Sequence, residues 1–242
     1  MNNQQYNFNP LIMPLARLNR NQNWLAIITG EPGTGKSWTA MKIGEDLSKM
    51  TGRTFTVKHI VFEVEDLLKL IQVLPSKSVI ILDEAGVDLA AREFMSARNR
   101  AMGKIFQVFR YKQLALLWTL PDLSMIDVQI RKLIQTFMET LPIDYVEEKT
   151  RVKWFNVNID RWTGEVTRQY PRVRIKGVTY VARMLKFGKP SQELVIPYEL
   201  NKDIFFKRLL LESQNEIQKS KGMPQLKKQR NVVSPANPNG IQ

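Results

Sequence analysis

Gly30-Glu31-Pro32-Gly33-Thr34-Gly35-Lys36-Ser37 is the stretch whose reading decides the fold. It has the form GxxxxGK[ST]. It follows directly on the apolar run WLAIITG (Trp24–Gly30) and leads directly into Lys36–Met50, where Ala40, Ile43, Leu47 and Met50 recur at helical spacing. A buried strand, a glycine-rich loop and a helix in that order define a P-loop. Gly33 and Gly35 let the backbone curl without side-chain clashes, so the N–H groups of about Gly33 to Ser37 converge on phosphate oxygens. The helix N-terminus adds partial positive charge at the same point. Lys36 reaches the β- and γ-phosphates of a nucleotide, and the Ser37 hydroxyl is a Mg²⁺ ligand. ATP and Mg²⁺ are the expected cofactors, with nucleotide contacts from Gly30, Glu31, Pro32, Gly33, Thr34, Gly35, Lys36, Ser37 and Trp38.

Working outward, Val79-Ile80-Ile81-Leu82-Asp83-Glu84 reads as a Walker B strand. Asp83 is assigned to Mg²⁺, mainly through water, and Glu84 to polarising the attacking water. The extra Glu favours ATP hydrolysis over a GTPase switch. It also implies a sheet in which another strand, Leu114–Leu120, lies between the P-loop strand and the Walker B strand. Thr119, near the end of that strand, then points at the γ-phosphate as a sensor; a hydroxyl merely bonded to backbone is the competing reading. Val57–Val64 and Thr136–Leu141 read as further strands, and Asp66–Val73 as a short helix. Asp88–Lys112 reads as mostly helical, and Ser124 with Asp127 as a capping-box-like start to a helix ending near Lys132. Continuous apolar strands alternating with helices predict an α/β fold with a mainly parallel sheet covered by helices, of the additional-strand, RecA-like type.

The pattern changes beyond Pro142. Thr163-Gly164 and Gly177 each separate strand-like runs, two hairpin signals that predict a small antiparallel appendage. The expected organisation is a flexible or loosely docked arm over 1–22, an ATPase core over 23–145, a basic β-hairpin appendage over 146–200, a helix over 201–220 and a disordered basic tail over 221–242. Between Arg151 and Lys189 the chain has ten basic and two acidic residues, a balance of 10 − 2 = +8 within a total of +13. Trp154, Trp162, Tyr170 and Tyr180 are interleaved with them. Basic side chains with aromatics on a β-ribbon suit a phosphate backbone, which makes DNA the expected partner and Arg168, Arg172, Arg174 and Lys176 its expected contacts. A solvated basic face over core aromatics is the alternative.

The P-loop, then LDEAG, the basic helix bearing Arg110-Tyr111-Lys112, LALLWTLPD, and Ile126-Asp127 followed by Ile130-Arg131 and Ile134 together resemble the FtsK/HerA-type ATPases. Within that group the chain is most similar to the zonula occludens toxin (Zot)-like branch found in phages, archaeal viruses and plasmids. The resemblance covers roughly residues 24–141. It implies a homo-oligomer, with a hexamer among the expected forms, that moves DNA or assembles virions. Oligomeric ATPases of this kind complete a site with an arginine from a neighbouring subunit. Arg98, Arg100, Arg110 and Arg131 are candidates, and Arg110 and Arg131 match basic positions of the family. Leu120-Pro121 follows Thr119 where the family usually carries Gln. The alternatives are a Zot-like virion assembly ATPase, a helicase-loader or initiator ATPase, and a nucleotide-gated DNA-binding protein.

Composition narrows the chemistry further. The 242 residues include no Cys and one His, which excludes disulfides, thiolate chemistry and His-built metal or triad sites. His59, in a strand-like run, reads as structural, and Met95, Met102 and Phe106 read as core. The N-terminus lacks a signal-peptide pattern and the apolar runs are too short to span a bilayer, so the expected location is cytoplasmic, in the host cell if the protein is viral.

Overall fold

The computed structural model describes residues 9–83, 105, 106, 108–126, 128–175 and 177–220. Three strands form the centre: β1 (Trp24–Thr29), β3 (Val79–Leu82) and β4 (Ala115–Thr119), and every residue in them is buried. Such runs bury both faces at once, which only a parallel sheet with cover on each side provides. β4 lies between β1 and β3, pairing Ile28 with Thr119 on one side and Leu82 with Trp118 on the other. The short β2 (Ile60–Val61) pairs with β3, and β5 (Thr136–Asp144) pairs parallel with the other edge of β1. The intervening-strand order expected from the Walker B carboxylates is therefore present. The two-residue β2 is much shorter than the expected 57–64, because Val57–His59 forms a 3₁₀ turn instead. The His59 ring nitrogen accepts from the Thr56 backbone N–H at 3.1 Å, so this lone His is structural; burial lowers its pKa.

α2 (Lys36–Thr51) covers one face through Ala40, Met41, Ile43 and Leu47, and ends at Gly52 in the left-handed region (φ 69°). The other face is covered by α3 (Val64–Val73) and by helical residues within 105–112, with Leu67, Ile71, Phe106 and Phe109 packed against Ile80 and Leu116. Met95 and Met102 lie outside the described residues. Between β4 and β5, Asp122 caps a 3₁₀ turn (Leu123–Met125) by accepting from the Ser124 N–H at 2.6 Å. A short α4 (Val128–Arg131) follows. The cap expected at Ser124 is thus supplied two residues earlier, because an Asx turn satisfies the same donors sooner; Asp127 is outside the described residues.

Two sequence expectations are corrected. Residues 12–19 are not a flexible arm but a helix, α1 (Ile12–Asn19). Leu11 and Leu18 are buried, and Arg17 Nε donates to the Asn23 carbonyl at 3.0 Å, which ties the helix to the start of β1. Leu18→Ala should lower stability by about 2–5 kcal/mol, the scale for a buried Leu truncation, where an undocked arm would show no change. Thermal melting followed by circular dichroism measures it.

The second correction concerns the antiparallel region. β6 (Lys149–Ile159) pairs antiparallel with β5 from Thr136 to Asp144, with an irregularity between Leu141 and Asp144. β10 (Leu185–Phe187) then adds to β6, giving the order β10-β6-β5-β1-β4-β3-β2. The boundary expected at 145/146 falls inside this hairpin, and most of the region continues the central sheet. Aromatics join the two halves: Trp24 stacks on Trp154 at 6.0 Å and Trp154 on Phe187 at 6.4 Å, while Trp24 Nε1 donates to Thr136 Oγ1 at 2.9 Å. β7 (Val166–Gln169) pairs with β6 across the Thr163-Gly164 turn. β8 (Arg172–Ile175) and β9 (Val178–Val181) form a separate hairpin around Gly177.

α5 (Gln192–Ser220) starts nine residues earlier than the expected 201 and runs through Pro197. Contacts divide the chain into a unit ending at Pro197 and a second beginning at Tyr198. The described part of the second is the rest of α5, where the Lys202 amine lies 5.6 Å from the Tyr198 ring and Lys207 pairs with Asp203. The tail over 221–242 lies outside the described residues. Among the described residues, no helix is long and apolar enough to cross a membrane.

Candidate nucleotide site

β1 delivers the chain into the loop at Gly30, and α2 takes it up at Lys36. Gly30 has φ 149° and Gly35 φ 83°. A Cβ on Gly30 would collide with Thr140 Oγ1 and lie 2.9 Å from Thr34 Oγ1. A Cβ on Gly35 would lie 2.5 Å from Thr150 Cγ2. The loop is therefore held against β5 and β6, and no other residue type fits at either point. Hydroxyls complete the brace. Thr34 Oγ1 lies 2.6 Å from the Glu31 carbonyl and 2.7 Å from Thr140 Oγ1, which donates to the Thr29 carbonyl at 3.1 Å. Thr39 Oγ1 donates to Thr150 Oγ1 at 3.0 Å, and Thr150 to the Phe187 carbonyl at 3.3 Å. The sequence motif does not reveal these partners, because Thr140 and Thr150 are more than 100 residues from it.

Gly35→Ala should strain this packing by about 1–3 kcal/mol and weaken nucleotide binding. Adding Thr150→Ser removes the clashing methyl, keeps the hydroxyl, and should restore part of the affinity. A fluorescent ATP analogue titrated into both variants tests it.

Lys36 is buried at 8% exposure and donates to the Gly30 carbonyl at 2.8 Å and the Glu31 carbonyl at 3.0 Å. Its amine thus sits over the loop that the motif shapes for phosphate. Asp83, at 0% exposure, lies at the end of β3. Its Oδ2 accepts from Ser37 Oγ at 3.1 Å and its Oδ1 from Thr119 Oγ1 at 2.6 Å. The strand order produces this bracket: β3 and β4 end side by side, and the helix after β1 places Ser37 opposite. A hydroxyl and a carboxylate 3.1 Å apart beside a buried amine are hard oxygen donors suited to Mg²⁺ next to phosphates. The residues present therefore fit a Mg–nucleotide.

Thr119 is fully buried and donates to the Asp83 carboxylate, so it positions Asp83. Glu84 lies outside the described residues, as do Arg98 and Arg100. Arg110 is exposed and lines a cavity at the opposite end of β1 from the phosphate loop, and so it cannot serve the nucleotide of its own chain. Arg131 Nε donates to the Ile126 carbonyl at 2.9 Å. It also lies near Asp122, whose carboxyl is held below its ordinary pKa chiefly by hydrogen bonds from Ser124, with Arg131 a lesser contributor.

The expected DNA face is divided. Arg168 is in β7, on the central sheet, with its guanidinium 5.3 Å from the Phe137 ring and 5.9 Å from Phe155. Arg172 and Arg174 share one face of β8 in the separate hairpin, both exposed. Lys176 is outside the described residues. Of the interleaved aromatics, Trp154 is core at 0% exposure and Trp162 is at the surface at 97%.

The order β5-β1-β4-β3-β2, with the phosphate loop after β1 and the acidic strand end one strand removed, is a RecA-like P-loop NTPase fold. No family model and no curated protein matches the chain. Among solved structures, the N-terminal domain of zonular occludens toxin from Neisseria meningitidis is similar at 12% identity and TM-score 0.34, over 61% of this chain and 93% of that one. A DNA polymerase III gamma subunit-related protein from Thermotoga maritima is similar at 8% identity and TM-score 0.40, over 57% of this chain and 48% of that one. A KaiC-like protein from Pyrococcus horikoshii is similar at 13% identity and TM-score 0.37, over 66% of this chain and 89% of that one. These likenesses are loose, and the fold assignment rests on the topology and loop geometry of this chain.

Proposed function

We propose that this chain is a Mg²⁺-dependent ATPase that couples hydrolysis to DNA, as an oligomeric translocation or packaging motor of a virus or plasmid, related to the Zot-like FtsK/HerA ATPases and working in the host cytoplasm. The observation that carries the ATPase reading is the Asp83 carboxylate bracketed by Ser37 and Thr119 across the β1-β4-β3 order. Bound Mg²⁺ would neutralise developing phosphate charge. Ser37 and Asp83 are the groups that would hold it, and Lys36 would pair with the β- and γ-phosphates. Glu84, next after Asp83, would polarise the attacking water, and Thr119 would couple the Asp83 carboxylate to the state of the γ-phosphate. Arg110 or Arg131 would act from a neighbouring subunit, since Arg110 lies too far from its own loop to act there. The net charge of +13 and exposed Arg172 and Arg174 support a polyanionic partner.

The test is ATP turnover with and without single- and double-stranded DNA, alongside solution mass. Turnover stimulated by DNA, in a particle several times 28.1 kDa, is expected. Turnover indifferent to DNA would turn the reading towards virion-protein assembly. Absence of turnover with nucleotide-dependent DNA affinity would make the chain a nucleotide-gated DNA-binding protein.

A further inference from the structure

A cavity of about 710 Å³ opens at the end of the sheet away from the phosphate loop. It is lined by Asn23 and Leu25 at the start of β1, by Gln135 just before β5, and by residues from α1, the 105–112 helix, the end of α4 and the β6–β7 turn. β1 has six residues, so the cavity and the loop lie about 20 Å apart along the strand.

Five of the lining residues are cations: Arg17, Arg20, Arg110, Lys132 and Arg161. Among the described residues no carboxylate lines it. Among the described residues none of the five takes part in an ion pair. Burial lowers the pKa of Arg17. The nearest acid in sequence, Asp160, is turned into its own loop, where its Oδ1 accepts from the N–H groups of Trp162 (2.7 Å) and Thr163 (3.0 Å). That Asx turn fixes the segment carrying Arg161. It also holds Trp162 out at 97% exposure, although an indole gains nothing by facing water. Gly164 of the same turn approaches Lys132, whose Nζ would lie 3.3 Å from a Cβ there.

Like charges gathered around one concavity repel each other and destabilise the fold unless an anion enters. Four separate segments contribute them, so no single amphipathic helix explains the cluster. Five cations need a ligand with several phosphates, and the concave shape suits a flexible strand better than a rigid duplex. An exposed indole on the residue after Arg161 matches the pairing of charged groove and stacking platform that single strands use.

We propose that this cavity and Trp162 form a binding site for a single nucleic-acid strand, on the face of the ATPase opposite its nucleotide. The inference rests on the reading that the chain works on DNA, and it places the contact away from the β8–β9 hairpin.

The experiment titrates a fluorescent thymidine oligomer into the full-length protein between ~50 and ~200 mM salt. Three proteins are compared: wild type, the Arg20→Ala/Lys132→Ala/Arg161→Ala variant and Trp162→Ala. None of these residues touches the phosphate loop, so ATP-analogue binding should match wild type, and a melting midpoint at or above that of wild type certifies the fold; the triple variant should melt higher, because it relieves the repulsion. Losing three phosphate contacts should lower the salt slope by about 2 and weaken binding on the order of 10-fold or more. Trp162→Ala should weaken it about 5- to 100-fold with the slope unchanged, because stacking is not ionic. Unchanged affinity in either folded variant overturns the site while leaving the DNA reading standing, with Arg172→Ala/Arg174→Ala as the next variant. Failure of wild type to bind any DNA overturns both.

Discussion

Lys36→Ala should abolish ATP turnover and weaken nucleotide binding. The ammonium is the one cation that the motif places over the β- and γ-phosphates, and its contribution to the transition state has no substitute within the loop. The structure sharpens the expectation. Lys36 is buried and held by the carbonyls of Gly30 and Glu31, so the amine is already fixed over the loop proposed to take the phosphates. Truncation leaves those two carbonyls without this donor and removes the counter-charge together. Steady-state hydrolysis and binding of a fluorescent ATP analogue measure the two effects separately. Wild-type hydrolysis in the variant would sink the P-loop assignment, and a collapsed melting curve would show that the amine is also needed to shape the loop.

The parts of the fold that could be read from sequence are those in which one short segment carries the whole signal. Trp24–Gly30, the glycine loop and Lys36 onward are contiguous, and their types leave one interpretation. The continuous apolar runs of β3 and β4 are legible for the same reason: burial on both faces removes the polar alternation that would make them ambiguous. α1 was hidden because its flanks are amide-rich and its burial depends on a few residues, Leu11 and Leu18 among them, meeting a surface formed far along the chain. β6 shows a half-buried alternation that fits a free hairpin as well as a sheet extension. Only the stacked Trp24, Trp154 and Phe187 decide between them, and stacking between residues 130 apart leaves no local trace. The cationic lining of the cavity leaves no local trace for a related reason. Counting charge per segment finds Arg151–Lys189, whereas the cavity gathers one or two cations from each of four segments.

The site divides in the same way. Lys36, Ser37 and Asp83 are motif residues, and the structure brings them together as their types require. The threonines that brace the loop are ordinary β-sheet residues in composition. They matter because Gly30 and Gly35 approach them too closely for any side chain to intervene. Glycine in the motif thus serves two ends: it frees the backbone for phosphate, and it allows the antiparallel half of the sheet to buttress the loop. A change at Thr150 should therefore reach the nucleotide without touching it.

Glu84→Gln should bind ATP like wild type and hydrolyse it at least ~100-fold more slowly, the usual scale for loss of a catalytic base. The separation of roles follows from the residue that precedes it. Asp83 is fully buried, with one carboxylate oxygen facing Ser37 and the other facing Thr119. That carboxylate is committed to Ser37 and to β4, and the proposed role in polarising water therefore falls to the acid next to it. Gln keeps the size and the hydrogen-bonding reach of Glu but cannot accept a proton, so the substitution separates binding from chemistry. Asp83→Asn provides the contrast: it should weaken Mg²⁺-dependent binding as well as turnover, because it alters the metal donor set. Titrating Mg²⁺ against ATP-analogue binding in both variants distinguishes the two carboxylates. Equal loss of binding and turnover in Glu84→Gln would make Glu84 a metal ligand or a structural acid, and the water-activating role would pass to another group.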